Sequence, residues 1–106
     1  MPREGILVER PLERISRDQL LQIHQASLEI LRDPGLLSFN QKAADIFHGS
    51  GAEVERVSSG DVPCWSVKVP DALVARALSA APKTVTLGAR NPENALVMHG
   101  DEPRVY

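Results

Sequence analysis

The spacing of apolar positions changes along the chain, and each change marks an element. From Leu20 onward apolar residues recur at Leu20, Ile23, Ile30 and Leu31, with Leu21 and Leu28 widening the stripe, which is a helical period. Ser16 and Gln19 stand at capping-box spacing, and Ile15 and Leu20 at that of a hydrophobic staple. Asp33-Pro34-Gly35 ends this helix, because the residue before proline avoids the helical region. A second helix is expected from Ser38, which with Gln41 makes another candidate capping box. Ala43, Ala44, Ile46 and Phe47 give it an apolar face, and Gly49-Ser50-Gly51 ends it. The link between the two is short, so an antiparallel or steeply crossed helix pair is expected.

The pattern then shortens to a period of two. Ala52 to Val57 alternates, as does Cys64 to Val69, and Ser58-Ser59-Gly60-Asp61 between them is turn chemistry. This predicts a β-hairpin whose second strand turns Trp65, Val67 and Val69 to the core. Pro63 places the start of that strand after it, or puts it on an edge. A third helix opens at Pro70-Asp71, with Asp71 favourable at the positive N-terminal end. Leu73, Val74, Ala77, Leu78 and Ala81 form its narrow stripe, and Pro82 ends it. Thr84 to Leu87 is a β-type run, Asn91 to Asn94 a turn, Ala95 to Met98 a strand, and Arg104-Val105-Tyr106 the beginning of another. The fold class expected is α+β: a helix pair, a hairpin, a third helix and further short strands.

Residues 1–15 mix charges with Pro2 and Pro11 and show no period. They read as an extended arm, ordered only where something holds it. Within it Ile6-Leu7-Val8 is a candidate docking strand, and packing of the arm on its own domain is the simpler expectation. Residues 16–106 form the body. Its last residues are apolar and β-prone, where a chain end is more often polar, and this suggests a segment cut from something longer.

Composition narrows the function without choosing one. A chain of 106 residues builds one modest core and cannot hold a complete α/β barrel of about 250 residues. Twelve Lys and Arg against fourteen Asp and Glu leave a net charge of -2, which gives no reason to expect nucleic acid or an anionic membrane as partner. A single cysteine, Cys64, excludes an internal disulfide and a multi-cysteine zinc site, and suits a reducing cytoplasm. No apolar run reaches the length of a membrane span, and the N-terminus does not read as a signal peptide.

The residues that could carry chemistry have simpler roles. His24, His48 and His99 include no pair at the i, i+4 spacing of two ligands on one helix face. His24 borders an apolar stripe, and His48 suits the negative end of its helix. Cys64 would need a histidine base brought to it by the fold, and a lone strand cysteine is usually a small buried hydrophobe. Gly49 and Gly51 begin a GxGxxG that Val54 breaks, after a helix rather than a strand. Glu53 and Glu55 point the same way from a strand and suit a solvated edge. Asp101-Glu102 sits in a turn. Phe39, Phe47, Trp65 and Tyr106 are too scattered for a base-stacking platform, and Trp65 is the best single anchor for a core. No residue is assigned a catalytic, cofactor-binding or metal-binding role.

Three stretches nevertheless carry a resemblance. The run Ile23-His24-Gln25-Ala26-Ser27-Leu28-Glu29-Ile30-Leu31 resembles the opening helix of the trimethylamine methyltransferase family. Val67 to Val74, Ala77-Leu78 and Ala80 to Lys83 resemble its strand-proline-helix segment. Thr86-Leu87-Gly88-Ala89-Arg90-Asn91-Pro92-Glu93-Asn94 resembles the pattern that follows. Together they span about 90 of the 106 residues in the family's order. The Asp33-Pro34-Gly35 break departs from the Gly-Val segment usual there, and the hairpin from Val57 to Trp65 matches loosely.

The resemblance implies an enzyme that moves a methyl group from trimethylamine or glycine betaine to the corrinoid (cobalamin) cobalt of a partner protein. It implies an α/β barrel preceded by a helical and β extension, and this chain matches the extension alone. No catalytic residue of the family falls on a position of this chain. The segment is then expected to bind no cofactor itself, and its partners to be the barrel domain or the corrinoid protein. The alternative expectation is a free-standing interaction module that forms a homo-oligomer through its apolar faces. An unrelated small enzyme has no residues to recommend it.

Overall fold

Ser16 starts the first helix as its neighbours dictate. In the computed structural model, which describes residues 1–106, its hydroxyl accepts from the Gln19 N–H at 3.2 Å while the Gln19 side chain accepts from the Ser16 N–H at 2.9 Å. This capping box opens α1, Arg17–Arg32, satisfying donors that the first turn leaves free. Asp33 caps its end. Gly35 then takes a positive φ of 81° and gives its N–H to the Ile30 carbonyl at 2.8 Å, which turns the chain into β2, Leu36–Ser38.

The second helix begins two residues later than its expected cap. Asn40 is the N-cap of α2, Gln41–Gly49, and its side chain accepts from the Ala43 N–H at 3.1 Å. Ser38 is instead the last residue of β2, with its hydroxyl engaged by the Asn40 backbone. Gln41 therefore stands at the first helical position and cannot reach back as a capping-box partner. Gly51, with φ of 105°, ends the turn after the helix.

The expected hairpin is present as β3, Glu53–Ser59, and β4, Val62–Lys68, joined through Gly60 at φ 63°. β4 is central in an antiparallel sheet of order β2-β4-β3. β2 covers β4 only from Trp65 to Val67, so Pro63 lies beyond it, paired with Ser58, where no second neighbour requires its missing N–H. The register aligns Leu36, Val67 and Val54 on one face. Ala52, Val67 and Val69 are buried there, packed by Leu31, Leu36, Phe47, Val54, Leu73 and Val74. Trp65 was expected in this core and is half-buried outside it, because its cross-strand neighbours are Ser38 and Arg56. Cys64 is completely buried one position along.

The helix pair expected from the short link is not the packing unit. A strand intervenes, α2 packs on β3 and β4, and α1 meets α3, Asp71–Ala80. The Val69 N–H donates to the Leu31 carbonyl at 2.8 Å, fastening the end of α1 to the end of β4. These elements form one compact unit, Ile15–Ala80.

The second unit joins Met1–Arg14 to Ala81–Tyr106, a grouping that differs from an arm of 1–15 and a body of 16–106. β1, Ile6–Leu7, pairs antiparallel with β7, Arg104–Val105, so the candidate docking strand pairs within its own chain. β5, Thr84–Leu87, pairs antiparallel with β6, Leu96–His99. Arg3 adds one parallel bridge to β6 through its backbone, at 2.7 Å to both Ala95 and Val97. The Asn91 turn is a single 3-10 turn, Pro92–Asn94. The whole chain is thus α+β, with three helices and seven short strands, and no helix is long and apolar enough to cross a membrane.

Candidate functional site

The end of α1, the start of β3 and the end of β4 converge on an open cleft of about 250 Å³, lined by Arg32, Gly51, Glu53, Lys68, Val69 and Pro70. Arg32 stands in the last turn of its helix, where a cation favours the negative end of the dipole. Lys68 closes β4 opposite Glu53, the first residue of β3. Both cations already have carboxylate partners. Arg32 Nη1 lies 3.1 Å from Asp71 Oδ2, and Lys68 Nζ lies 3.4 Å from Asp33 Oδ1. The floor is the Val69 end of the core and the rigid Pro70.

The cleft lining does not match the ligands that the resemblance implies. A quaternary ammonium ion is held by aromatic faces, and no aromatic residue lines the cleft while two cations do. Pockets for drug-sized ligands run to about 300–1,000 Å³, and a corrinoid macrocycle is larger than such ligands. The cleft does not fit one, and no histidine faces it as a cobalt ligand.

The residues weighed from sequence are dispersed. His24 is exposed in α1, and His48 is exposed in the last turn of α2. His99 is half-buried at the end of β6, where its backbone N–H donates to the Tyr106 hydroxyl at 2.7 Å and its Nε2 has no partner. Cys64 is buried in β4, away from the cleft lining. Glu53 and Glu55 are exposed along β3. No three His, Cys, Asp or Glu side chains are grouped to hold a metal ion. Glu102 is the counter-charge of Arg104, whose Nε reaches it at 2.8 Å while Nη1 donates to the Glu4 carbonyl at 3.1 Å. The hydrogen bond that Arg104 donates to the Glu102 carboxylate pushes the Arg104 pKa above its ordinary value.

Sequence reasoning did not single out Arg32 and Lys68. Arg32 had a local signal, as a cation in a last turn. Its partner Asp71 is 39 residues away, and no spacing rule connects them.

The other feature is an uncovered helix face. α1 has no buried residue. Leu28 and Leu31 are half-buried, whereas Leu20, Leu21, Ile23 and Ile30 are each more than half exposed. Only the last turns of the helix meet the core, and the rest of its stripe faces outward.

A family profile described as "Trimethylamine methyltransferase (MTTB)" matches residues 5–105. Among curated proteins, a trimethylamine methyltransferase of Desulfitobacterium hafniense is 38% identical over 89 residues, covering 84% of this chain and 17% of that protein. One from Methanosarcina mazei is 36% identical over 80 residues, 76% of this chain and 15% of its own. A glycine betaine methyltransferase of D. hafniense is 32% identical over 101 residues, 95% of this chain and 18% of its own. The chain therefore spans less than a fifth of the length of these relatives. No solved structure matches it.

Proposed function

The chain belongs to the trimethylamine methyltransferase family, and on that premise we propose that it is the N-terminal structural segment of a methyltransferase acting on a methylated amine of the trimethylamine or glycine betaine type. The reaction takes place on an α/β barrel that the matched segment braces, and a corrinoid held by a partner protein supplies the methyl acceptor. The segment itself contributes shape rather than chemistry. The observation that carries this reading is the α1 stripe: four large apolar side chains stay more than half exposed on one helix. A helix with an apolar face is stabilised mainly by burying that face, and this unit buries only its edge.

The test uses two proteins. The chain alone is assayed for transfer of a methyl group from trimethylamine or glycine betaine to cob(I)alamin, and none is expected. A chimera in which this chain replaces the matching 101 residues of the D. hafniense glycine betaine methyltransferase is expected to fold and retain transfer. Activity of the isolated chain would overturn the structural role. An isolated chain that self-associates tightly through α1, with a chimera that does not fold, would favour a free-standing dimerisation module.

A further inference from the structure

Within the second unit, the residues from Arg3 to Val8 touch both β6 and β7. The Arg3 N–H donates to the Ala95 carbonyl and the Arg3 carbonyl accepts from the Val97 N–H, each at 2.7 Å. β6 thus has β5 on one side and Arg3 on the other. Ile6 and Leu7 then pair with Val105 and Arg104, and the Val8 N–H donates to the Pro103 carbonyl at 2.8 Å. β1 is the one strand that pairs with β7.

Two side-chain features fit this segment to its seat. Gly5 takes a φ of 73°, and a Cβ there would lie 2.6 Å from the Val105 carbonyl oxygen and 2.8 Å from the Tyr106 ring. Only glycine allows so close an approach with that backbone. The half-buried Arg104 grips the same stretch, donating to the Glu4 carbonyl at 3.1 Å while Glu102 holds its Nε. Behind Gly5, the Tyr106 hydroxyl accepts from the His99 N–H at 2.7 Å, so the seat reaches back to β6 by a second route.

Little apolar burial backs these bonds. The one buried side chain of the unit is Ala95, and Ile6 and Leu7 stay 75% and 52% exposed. Segments with few buried apolar contacts and exposed backbone hydrogen bonds open at a low free energy. β4 is the opposite case, with Cys64 and Val67 completely buried.

We propose that Arg3–Val8 is a releasable strap. Seated, it orders β6 and β7 together. Released, it frees the Ala95 carbonyl, the Val97 N–H and the paired edge of β7, and the Tyr106 contact to His99 is lost with them. The result is a local order–disorder switch confined to Met1–Arg14 and Ala81–Tyr106. The strap needs nothing from the methyl-transfer reading and works in the chain by itself.

Hydrogen exchange on the full chain, resolved by residue, tests the strap. The amides of Val8, Val97 and His99 are expected to exchange at similar rates, at least tenfold faster than those of β4. Gly5→Ala should speed all three together, again at least tenfold, and leave β4 unchanged. Arg104→Gln, which loosens the seat from its other side, should speed the same three by a smaller factor. Tyr106→Phe should speed His99 alone. The decisive amide is His99, which the strap does not touch. If Gly5→Ala speeds Val8 and leaves His99 as it was, the arm merely lies on β6 and β7 and the strap is overturned. Native-chain amides at Val8, Val97 and His99 as slow as those of β4 would also overturn it, since nothing would open separately. So would a Gly5→Ala chain in which β4 loses its protection as well, because the switch would not be local.

Discussion

The Arg32 guanidinium lies 3.1 Å from the Asp71 carboxylate, joining the last turn of α1 to the first turn of α3. Both side chains are about half exposed, so the pair itself contributes about 0–1 kcal/mol. Asp71 also faces the positive end of its helix and Arg32 the negative end of its own, each worth about 0.3–1 kcal/mol more. Asp71→Asn and Arg32→Gln should therefore destabilise the chain by similar amounts in urea unfolding. Both losses should shrink at 1 M salt, where screening acts within about 3 Å.

Two glycines separate strain from clash. Gly35 has φ 81°, and a Cβ there would meet the Val67 carbonyl oxygen. Gly51 has φ 105° with open space around it. Gly51→Ala should cost about 1–2 kcal/mol, the penalty of a left-handed L-residue. Gly35→Ala should cost more than that, because the backbone of β4 must move as well. Thermal unfolding of the two variants gives the order directly.

The cap of α2 is equally specific. Asn40→Ala should cost about 1 kcal/mol, the usual effect of losing an N-cap. Gln41→Ala should stay within about 0.5 kcal/mol, since Gln41 is the first helical residue and not the third. Equal losses at the two positions would point back to a cap at Ser38.

The core and the exposed face of α1 should respond oppositely. Val67 is completely buried, and Val67→Ala removes two methyl groups and opens a cavity, costing about 2–3 kcal/mol. Ile23→Gln with Ile30→Gln changes two exposed positions and should shift the stability of the isolated chain by about 0.5 kcal/mol or less per site. In the chimera the same pair should lower stability or activity markedly.

Arg104 gives a pH prediction with a definite sign. Its hydrogen bond to Glu102 raises its pKa, so the cation is favoured in the fold. Its contribution is complete below the unfolded-state pKa and is lost only as pH rises through the higher folded value. The stability difference between the native chain and Arg104→Gln should therefore stay flat from pH 6 to 9. A fall within that window would mean that another group carries the effect.

Much of this architecture is legible in local chemistry. Ser16 with Gln19 starts a helix because two orphan donors find partners within four residues. Pro34 stops it because proline excludes helical backbone before it. Gly60 turns the hairpin because it tolerates positive φ. The family resemblance is legible as well, since Ile23 to Leu31 and Thr86 to Asn94 are contiguous strings. The cap at Asn40 was not, because Ser38 and Asn40 both carry capping side chains and β2 had first to claim Ser38. The cleft cations were not, because Arg32 and Asp71 meet only after α1 and α3 have packed.

The sequence by itself thus determined the elements whose causes lie within a few residues: three helices, the hairpin and the short strands that follow. Tertiary structure decided what those elements do with their apolar faces. Periodicity says that α1 and the β5–β6 ribbon have such faces. It does not say whether the chain's own core covers them, because burial depends on what arrives from distant parts of the polypeptide. Here the sheet takes Val67, Val69 and the end of α1 at Leu31, and leaves Ile23 and Ile30 facing outward. A sheet of three short strands has room for only one layer of helix ends against its apolar face.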